Sequence, residues 1–145
     1  MKEQFRDEMV SILENSKSSQ EERIQALFQL MNIADKQSLD SIFNCLKNDP
    51  CEIVRHEAAF VLGETAAHDA IDMLKYAVLN DSSEIVKHES LLALGTINNK
   101  EVIPFLEEIE KSSEKLISES AKIAIERINW KGDPYRGPKQ FENLN

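Results

Sequence analysis

Two His-Glu dipeptides are the residues of this chain best suited to carry chemistry. His56-Glu57 and His88-Glu89 occupy the same place in two related segments that are offset by 32 residues. Two of the three histidines of the chain lie in these pairs. Neutral imidazole and carboxylate together form a common ligand set for iron, zinc and manganese. The repeated pair therefore indicates a metal site between neighbouring repeats.

An ordinary structural explanation also exists for these pairs. A single His-Glu on a helix is usually a solvated surface pair, and duplication of a repeat can preserve it without function. Other residues fit the equivalent places, however, because the repeats on either side carry Ile24-Gln25 and Ser120-Ala121. Terminal repeats of a solenoid are commonly atypical, since they cap its open ends. The doubling of the pair therefore favours the functional interpretation.

Helix geometry limits how the two pairs can share an ion. Adjacent residues point about 100° apart, because an α-helix has about 3.6 residues per turn. One helix therefore cannot easily direct both His56 and Glu57 at one ion. Two packed helices, roughly 8–10 Å apart, can bring His56 and His88 towards a shared point. Two imidazoles do not close a site, which leaves Glu57 and Glu89 free to reach a second metal or another copy of the chain.

The elements that must position these residues are predicted to be paired helices. One helix is expected to begin near Asp49-Pro50, with Asp as the cap and Pro in the first helical position, and to run to about Gly63. The next covers residues 70–79, where apolar residues recur at helical spacing. No segment alternates convincingly at a period of two. The sequence therefore predicts an all-α solenoid of about four helical hairpins, spanning residues 1–130.

Four residues outside the pairs have structural explanations. Gly63 and Gly95 each follow a leucine, and glycine either lets neighbouring helices approach or ends a helix. Trp130 closes the last helix and is expected in the core. His68 stands alone near a helix start and is expected at the surface.

A tail of different composition follows the helices. Residues 131–145 contain two glycines and two prolines, which make a helix unfavourable. We expect this tail to be either disordered or docked on another surface through Tyr135 and Phe141.

Composition excludes several classes of partner. The net charge of −9 leaves nothing to neutralise phosphates, so a nucleic-acid partner is not expected. The acidity suits a basic partner or a cationic substrate side chain, or simply solubility. Cys45 and Cys51 match no zinc or disulfide spacing, which favours a reducing cytoplasm. No apolar stretch approaches the length of a signal core or a membrane span.

The motifs resemble those of a known family. Residues 55–63 and 87–89, within helical-hairpin repeats, are similar to the deoxyhypusine hydroxylases, which are HEAT-type solenoids with four His-Glu motifs, two in each of two similar halves. The resemblance covers about residues 20–130, which is one half, and the tail takes the place of the linker between halves. Generic HEAT repeats share the Leu-Gly pattern but lack the His-Glu pairs.

The resemblance implies a non-haem di-iron centre between the halves. His56 and His88 are implied as ligands of one iron and Glu57 as a ligand of the iron of the other half. Glu89 is implied to be a catalytic residue at the metal site, near the reacting oxygen or the substrate amine. The implied reaction is an O₂-dependent hydroxylation of a lysine-derived side chain, deoxyhypusine, on a translation factor. Activating O₂ requires a cofactor, because side chains alone cannot do so.

Because the chain carries half of the family's motifs, the leading interpretation is a cytoplasmic di-iron monooxygenase built as a homodimer. A second identical chain would supply the missing half, with about two irons per dimer. Two alternatives stay open. One is a non-enzymatic HEAT-repeat scaffold that binds a protein, and the other is a repeat protein similar to the phycobilin lyases. Metal content separates the first interpretation from both alternatives, and a bilin-dependent colour change identifies the last.

Overall fold

The structure, a computed structural model, describes residues 1–132. Within that range the chain is helical throughout and has no strand, so the prediction of an all-α fold is confirmed. A short 3₁₀ turn at Lys100–Val102 leads into the seventh helix. The helices are α1 (Lys2–Glu14), α2 (Gln20–Ile33), α3 (Lys36–Asn48), α4 (Glu52–Thr65), α5 (Ala70–Asn80), α6 (Glu84–Ile97), α7 (Ile103–Glu110) and α8 (Lys115–Asn129).

The helices form four consecutive hairpins that stack into a two-layered solenoid. Each odd-numbered helix packs against the even-numbered helix that follows it. The even-numbered helices also pack on one another in order, from α2 through α4 and α6 to α8, and form a continuous layer. This is the hairpin count that the 32-residue register predicts, since each register step adds one helix to each layer.

The core between the layers is aliphatic, and small residues set the closest approach of neighbouring helices within the even-numbered layer. A Cβ placed on Gly63 of α4 would lie 2.7 Å from the Cβ of Ala93 on α6. A Cβ on Gly95 would lie 3.0 Å from the Cα of Ala124 on α8. Of the two explanations offered for these glycines, close helix approach is therefore the one that applies. The largest fully buried side chains include Leu27, Leu30, Ile42, Leu46, Leu62, Leu74, Leu91 and Leu94.

Two arginine–aspartate pairs connect successive hairpins. Arg23 donates from Nε and Nη2 to the carboxylate of Asp49, at 2.8 and 3.2 Å, and Arg55 binds Asp81 in the same way at 2.9 and 3.2 Å. Arg55 Nη1 also donates to the backbone carbonyl of Asp49. The four residues thus form one continuous ladder, which we call the Arg–Asp ladder. Its aspartate side chains are only 5% and 7% exposed.

The ladder explains why one predicted helix start is wrong. Asp49 was expected to cap the helix that carries the first His-Glu pair, but it ends α3, and α4 begins at Glu52 after Cys51. The Asp49 carboxylate is occupied by Arg23 and by the backbone N–H of Cys51. Because Asp49 accepts this N–H two residues ahead, it shapes the link between the helices and leaves the cap to Cys51.

The C-terminal end departs from expectation at one residue. Trp130 lies one position beyond α8 and is 41% exposed, so its assignment to the core is wrong. The solenoid places no further hairpin over it within the described residues. The predicted tail begins at residue 131 and lies almost entirely outside residues 1–132. Across those residues, no helix is both long enough and apolar enough to cross a membrane.

Candidate metal centre

Both His-Glu pairs lie in the second turn of an even-numbered helix, on neighbouring helices of the same layer. His56 and Glu57 are on α4, and His88 and Glu89 are on α6. The glycine at position 63 lets the two helices approach closely, which brings their side chains within reach of one another. The repeat spacing therefore places equivalent residues side by side.

His56 lies between two carboxylates, one from each helix. Its Nε2 is 3.2 Å from a carboxylate oxygen of Glu89 on α6, and its Nδ1 is 3.6 Å from Glu57 on its own helix. The Glu89 side chain is only 15% exposed, and that of His56 is 31% exposed. Although Glu57 follows His56 directly in sequence, the two side chains bend towards each other. The His56–Glu89 contact is the direct link between the two motifs.

His88 has a different environment. Its Nδ1 lies 2.6 Å from the hydroxyl oxygen of Ser120, which belongs to α8, the next helix of the layer. Ser120 is almost completely buried. Its contact with His88 leaves the opposite ring nitrogen, Nε2, on the side away from the serine. Sequence reasoning treated Ser120 only as the residue that replaces histidine in the last repeat.

These environments move the pKa values of the two histidines in opposite directions. The hydrogen bond to Glu89 and the negative charges of Glu89 and Glu57 raise the pKa of His56, against the opposing effect of burial. Burial lowers the pKa of His88, and the charge of His56 lowers it further, while Glu89 acts the other way. The charges of both histidines and Glu89 are therefore close enough to influence one another.

Other potential ligands lie outside this group. His68 is on the surface, as expected, where its Nε2 pairs with Glu101 at 2.8 Å. Burial raises the pKa of the Cys45 thiol to about 12, which disfavours the thiolate that a metal needs. Across residues 1–132, no three His, Cys, Asp or Glu side chains are arranged to hold a metal ion by themselves. His56 contacts Glu57 and Glu89, and His88 precedes Glu89 on α6.

The fold and its repeat identify the class of protein. A family model described as HEAT repeats matches residues 7–76 and 40–126, and these matches together cover most of the chain. The chain therefore belongs to the HEAT-repeat family. No curated protein sequence matches it significantly.

A solved structure gives a more particular comparison. The fold is similar to that of human deoxyhypusine hydroxylase in complex with glycerol, with a TM-score of 0.85 and 29% sequence identity. The match covers 94% of this chain but 49% of the human enzyme, so the chain spans about half the length of that protein. The predicted resemblance to one half of a deoxyhypusine hydroxylase is confirmed.

Proposed function

We propose that this chain is a non-haem di-iron monooxygenase of the deoxyhypusine hydroxylase type, active as a homodimer. The observation that carries the proposal is the placement of two His-Glu pairs on adjacent helices, joined by the contact of His56 with Glu89, in a fold similar to half of that enzyme. The proposed substrate is a cationic, lysine-derived side chain on a translation factor. A cytoplasmic location is part of the proposal, and the free thiols of Cys45 and Cys51 are consistent with it.

The donor set suits iron in type and number for half of a centre. Imidazole nitrogen and carboxylate oxygen are ligands that iron accepts. His56 and His88 would hold one iron, and Glu57 would hold the iron bound by the partner chain. The iron supplies the activation of O₂ that side chains cannot provide.

Glu89 is assigned the catalytic role beside the metal. Its carboxylate is 3.2 Å from His56 Nε2, and an imidazole nitrogen must be deprotonated to become a metal ligand. Once His56 is deprotonated, Glu89 retains a negative charge in a largely buried position, where it can bind and orient a substrate ammonium group. The net charge of −9 would attract the same cationic side chain over longer distances.

Exposed apolar residues beside the cluster support the homodimer. Ile53 and Ile85 lie one turn before His56 and His88, and they are 43% and 37% exposed. Side chains of this kind at equivalent places on two neighbouring helices form an apolar margin beside the site. A second copy facing the first about a two-fold axis would cover this margin and bring the missing ligands.

Metal content tests the ligand assignment. Purified wild-type protein should contain about one iron per chain, and His56→Ala or His88→Ala should lose it while circular dichroism stays helical. His68→Ala is the matched control, because it removes the remaining histidine and leaves the cluster intact. Full metal retention by both cluster variants would contradict the assignment.

Mixing two inactive variants tests whether the site crosses between chains. His56→Ala should lack a functional histidine pair, and Glu57→Gln should lack the carboxylate offered to the partner. In a mixed dimer, the histidines of the Glu57→Gln chain meet the intact Glu57 of the His56→Ala chain, and this restores one site. Recovery of metal on mixing supports the shared site, whereas no recovery in verified mixed dimers refutes it. A metal-free monomer in sedimentation would instead favour a protein-binding scaffold.

A further inference from the structure

Ser120 occupies a special place in the repeat. It lies one register step beyond His88, as His88 lies one step beyond His56, so the three residues occupy equivalent positions on α4, α6 and α8. Its hydroxyl oxygen is 2.6 Å from His88 Nδ1 and 2.6 Å from the backbone carbonyl oxygen of Leu116. The last hairpin therefore lacks a third histidine but places a hydroxyl against the second one.

The two contacts of Ser120 determine where the protons lie. A carbonyl oxygen can only accept, so the single hydroxyl proton of Ser120 is donated to Leu116. The Ser120 oxygen must then accept from His88, and His88 Nδ1 must carry a proton. A neutral imidazole has only one ring proton, so Nε2 of His88 carries a free lone pair. This is the form in which a histidine binds a metal through Nε2.

We propose that Ser120 is a positioning residue that holds His88 in the Nδ1–H tautomer and so prepares its Nε2 as a metal ligand. The effect on the metal rests on the proposed function, whereas the effect on the tautomer does not. A histidine ring in water favours the opposite tautomer, with the proton on Nε2, so the protein must supply the preference. The burial of Ser120 and the half-buried position of His88 strengthen this preference, because an unpaired Nδ1–H would be costly there.

His56 provides an internal contrast. Carboxylates face both of its ring nitrogens, at 3.2 Å for Glu89 and 3.6 Å for Glu57, so no neighbouring hydroxyl selects one tautomer. The influence of Ser120 should therefore be confined to His88. The same comparison separates a local effect on one ring from a general loosening of the fold.

The tautomer can be read directly in the metal-free full-length protein. Nitrogen-15 NMR of the imidazole rings should show His88 with its proton on Nδ1. Ser120→Ala should move that proton to Nε2, and Ser120→Thr, which keeps the hydroxyl, should restore the wild-type pattern. Ser90→Ala is the matched control, since Ser90 is a fully buried serine of α6 whose hydroxyl has no partner within residues 1–132. A wild-type His88 protonated on Nε2, or an unchanged ring in Ser120→Ala, overturns the proposal.

Metal affinity tests the consequence. Calorimetric titration with Zn²⁺ as the probe should show about 10–100-fold weaker binding for Ser120→Ala, as expected when the partner of a ligating histidine is lost. Ser120→Thr and Ser90→Ala should bind close to wild type. Unchanged Zn²⁺ affinity in Ser120→Ala, despite a switched tautomer, refutes the metal-preparing role. Wild-type protein that shows the Nδ1–H tautomer but binds no Zn²⁺ supports the hold of Ser120 on His88 and refutes the proposed function.

Discussion

The surroundings of His56 and His88 favour different protonation states of the two rings. His56 is placed against the carboxylate of Glu89, which favours its charged form, whereas His88 is half-buried against a hydroxyl, which favours the neutral form. The pKa of His56 is therefore raised and that of His88 lowered, so His56 holds its proton to a higher pH than His88 does. Binding of a metal to both rings must release the proton held by His56, because a ligating imidazole nitrogen must be bare.

We predict that the two rings titrate on opposite sides of the ordinary histidine pKa of 6.5. In metal-free protein, NMR titration should place His56 above that value, because of its bond to Glu89, and His88 below it, because of burial. Glu89→Gln should lower the pKa of His56. Titration of His88 above His56 would contradict this arrangement.

The signs of these shifts have consequences for stability. The raised pKa of His56 stabilises the folded state fully below pH 6.5, and this contribution disappears as the pH rises through the folded pKa. The lowered pKa of His88 has the opposite effect, because protonation below pH 6.5 favours the unfolded chain. Replacing His56 with Gln removes the first contribution, together with the charge that lowers the pKa of His88, which burial still lowers. Chemical unfolding should therefore show a larger loss of stability for this variant at pH 5.5 than at pH 8.

The His-Glu residues could be predicted from the sequence because they repeat at a fixed interval, but their partners could not. Ser120 is one common residue on a third helix, and its role depends on a rotamer and on the carbonyl of Leu116. The contact of His56 with Glu89 is equally a matter of side-chain direction. The sequence gives the helix and the face, whereas packing decides which atoms meet.

At the scale of the elements, the distance between α4 and α6 controls whether the two motifs meet. Gly63 permits that distance, since its missing Cβ would lie 2.7 Å from the Cβ and 2.9 Å from the Cα of Ala93. The second of these atoms belongs to the backbone and cannot rotate away. The motifs are therefore coupled to a glycine two turns further along α4.

Gly63→Ala should force α4 away from α6, with a cost of about 1–3 kcal/mol in unfolding free energy. The contact between His56 and Glu89 should lengthen, so the pKa of His56 should fall towards its ordinary value. Gly95→Ala is the comparison, because its Cβ would have a looser fit, 3.0 Å from the nearest atom. Gly95→Ala should lower the unfolding free energy by less than Gly63→Ala does, and it should leave the His56 titration nearly unchanged. Equal effects of the two variants on His56 would contradict the coupling.

Three even-numbered helices end in a strained residue at the same register position. Ala34, Ala66 and Asn98 adopt left-handed backbone conformations, with φ of 52°, 53° and 60°. Ala66→Gly should raise the unfolding free energy by about 1 kcal/mol, because glycine has no Cβ to clash in this conformation. Asn98→Gly should gain less, since asparagine tolerates the same region. Thermal or chemical unfolding of the two variants checks this order.

The Arg–Asp ladder should contribute measurably to the stability of the fold. Arg55→Met should cost about 3 kcal/mol, because it leaves the Asp81 carboxylate, only 7% exposed, without its bidentate partner. Lys36→Met, which breaks an exposed pair with Asp40, should change stability little. Similar losses in both variants would argue against a structural role for the ladder. The sequence contains the signal of the ladder, because an Arg and an Asp 26 residues apart recur one register later, and this pairing is why the start of α4 predicted at Asp49-Pro50 was wrong.

The architecture of the whole molecule was the most predictable level. A period of 32 residues maintained without insertion leaves few ways to bury the apolar face of each hairpin other than stacking. The number of hairpins and the absence of strands in residues 1–132 follow from that periodicity. The end of the stack did not follow, because the exposure of Trp130 depends on its position one residue beyond α8, which a repeat pattern does not encode.

The Arg–Asp ladder also makes the two ends of the solenoid unequal. A further step would require an arginine at position 87 and an aspartate at position 113, but the chain has Lys87 and Ser113, and these form no ion pair among the described residues. The last hairpin, which carries Ser120, is therefore joined to the stack without this connection. We expect it to open first in hydrogen exchange, with faster exchange of α8 amides than of those in α4.

Each opening of this hairpin would separate Ser120 from His88 while the rest of the molecule stays folded. The lifetime of the His88–Ser120 contact would then be set by the free energy of local opening, which is smaller than that of global unfolding. Lys87→Arg combined with Ser113→Asp would extend the ladder by one step and should slow exchange in α8, with little effect on α2. The missing ion pair at one edge of the solenoid would therefore determine, through local opening of the last hairpin, how long His88 keeps its contact with Ser120.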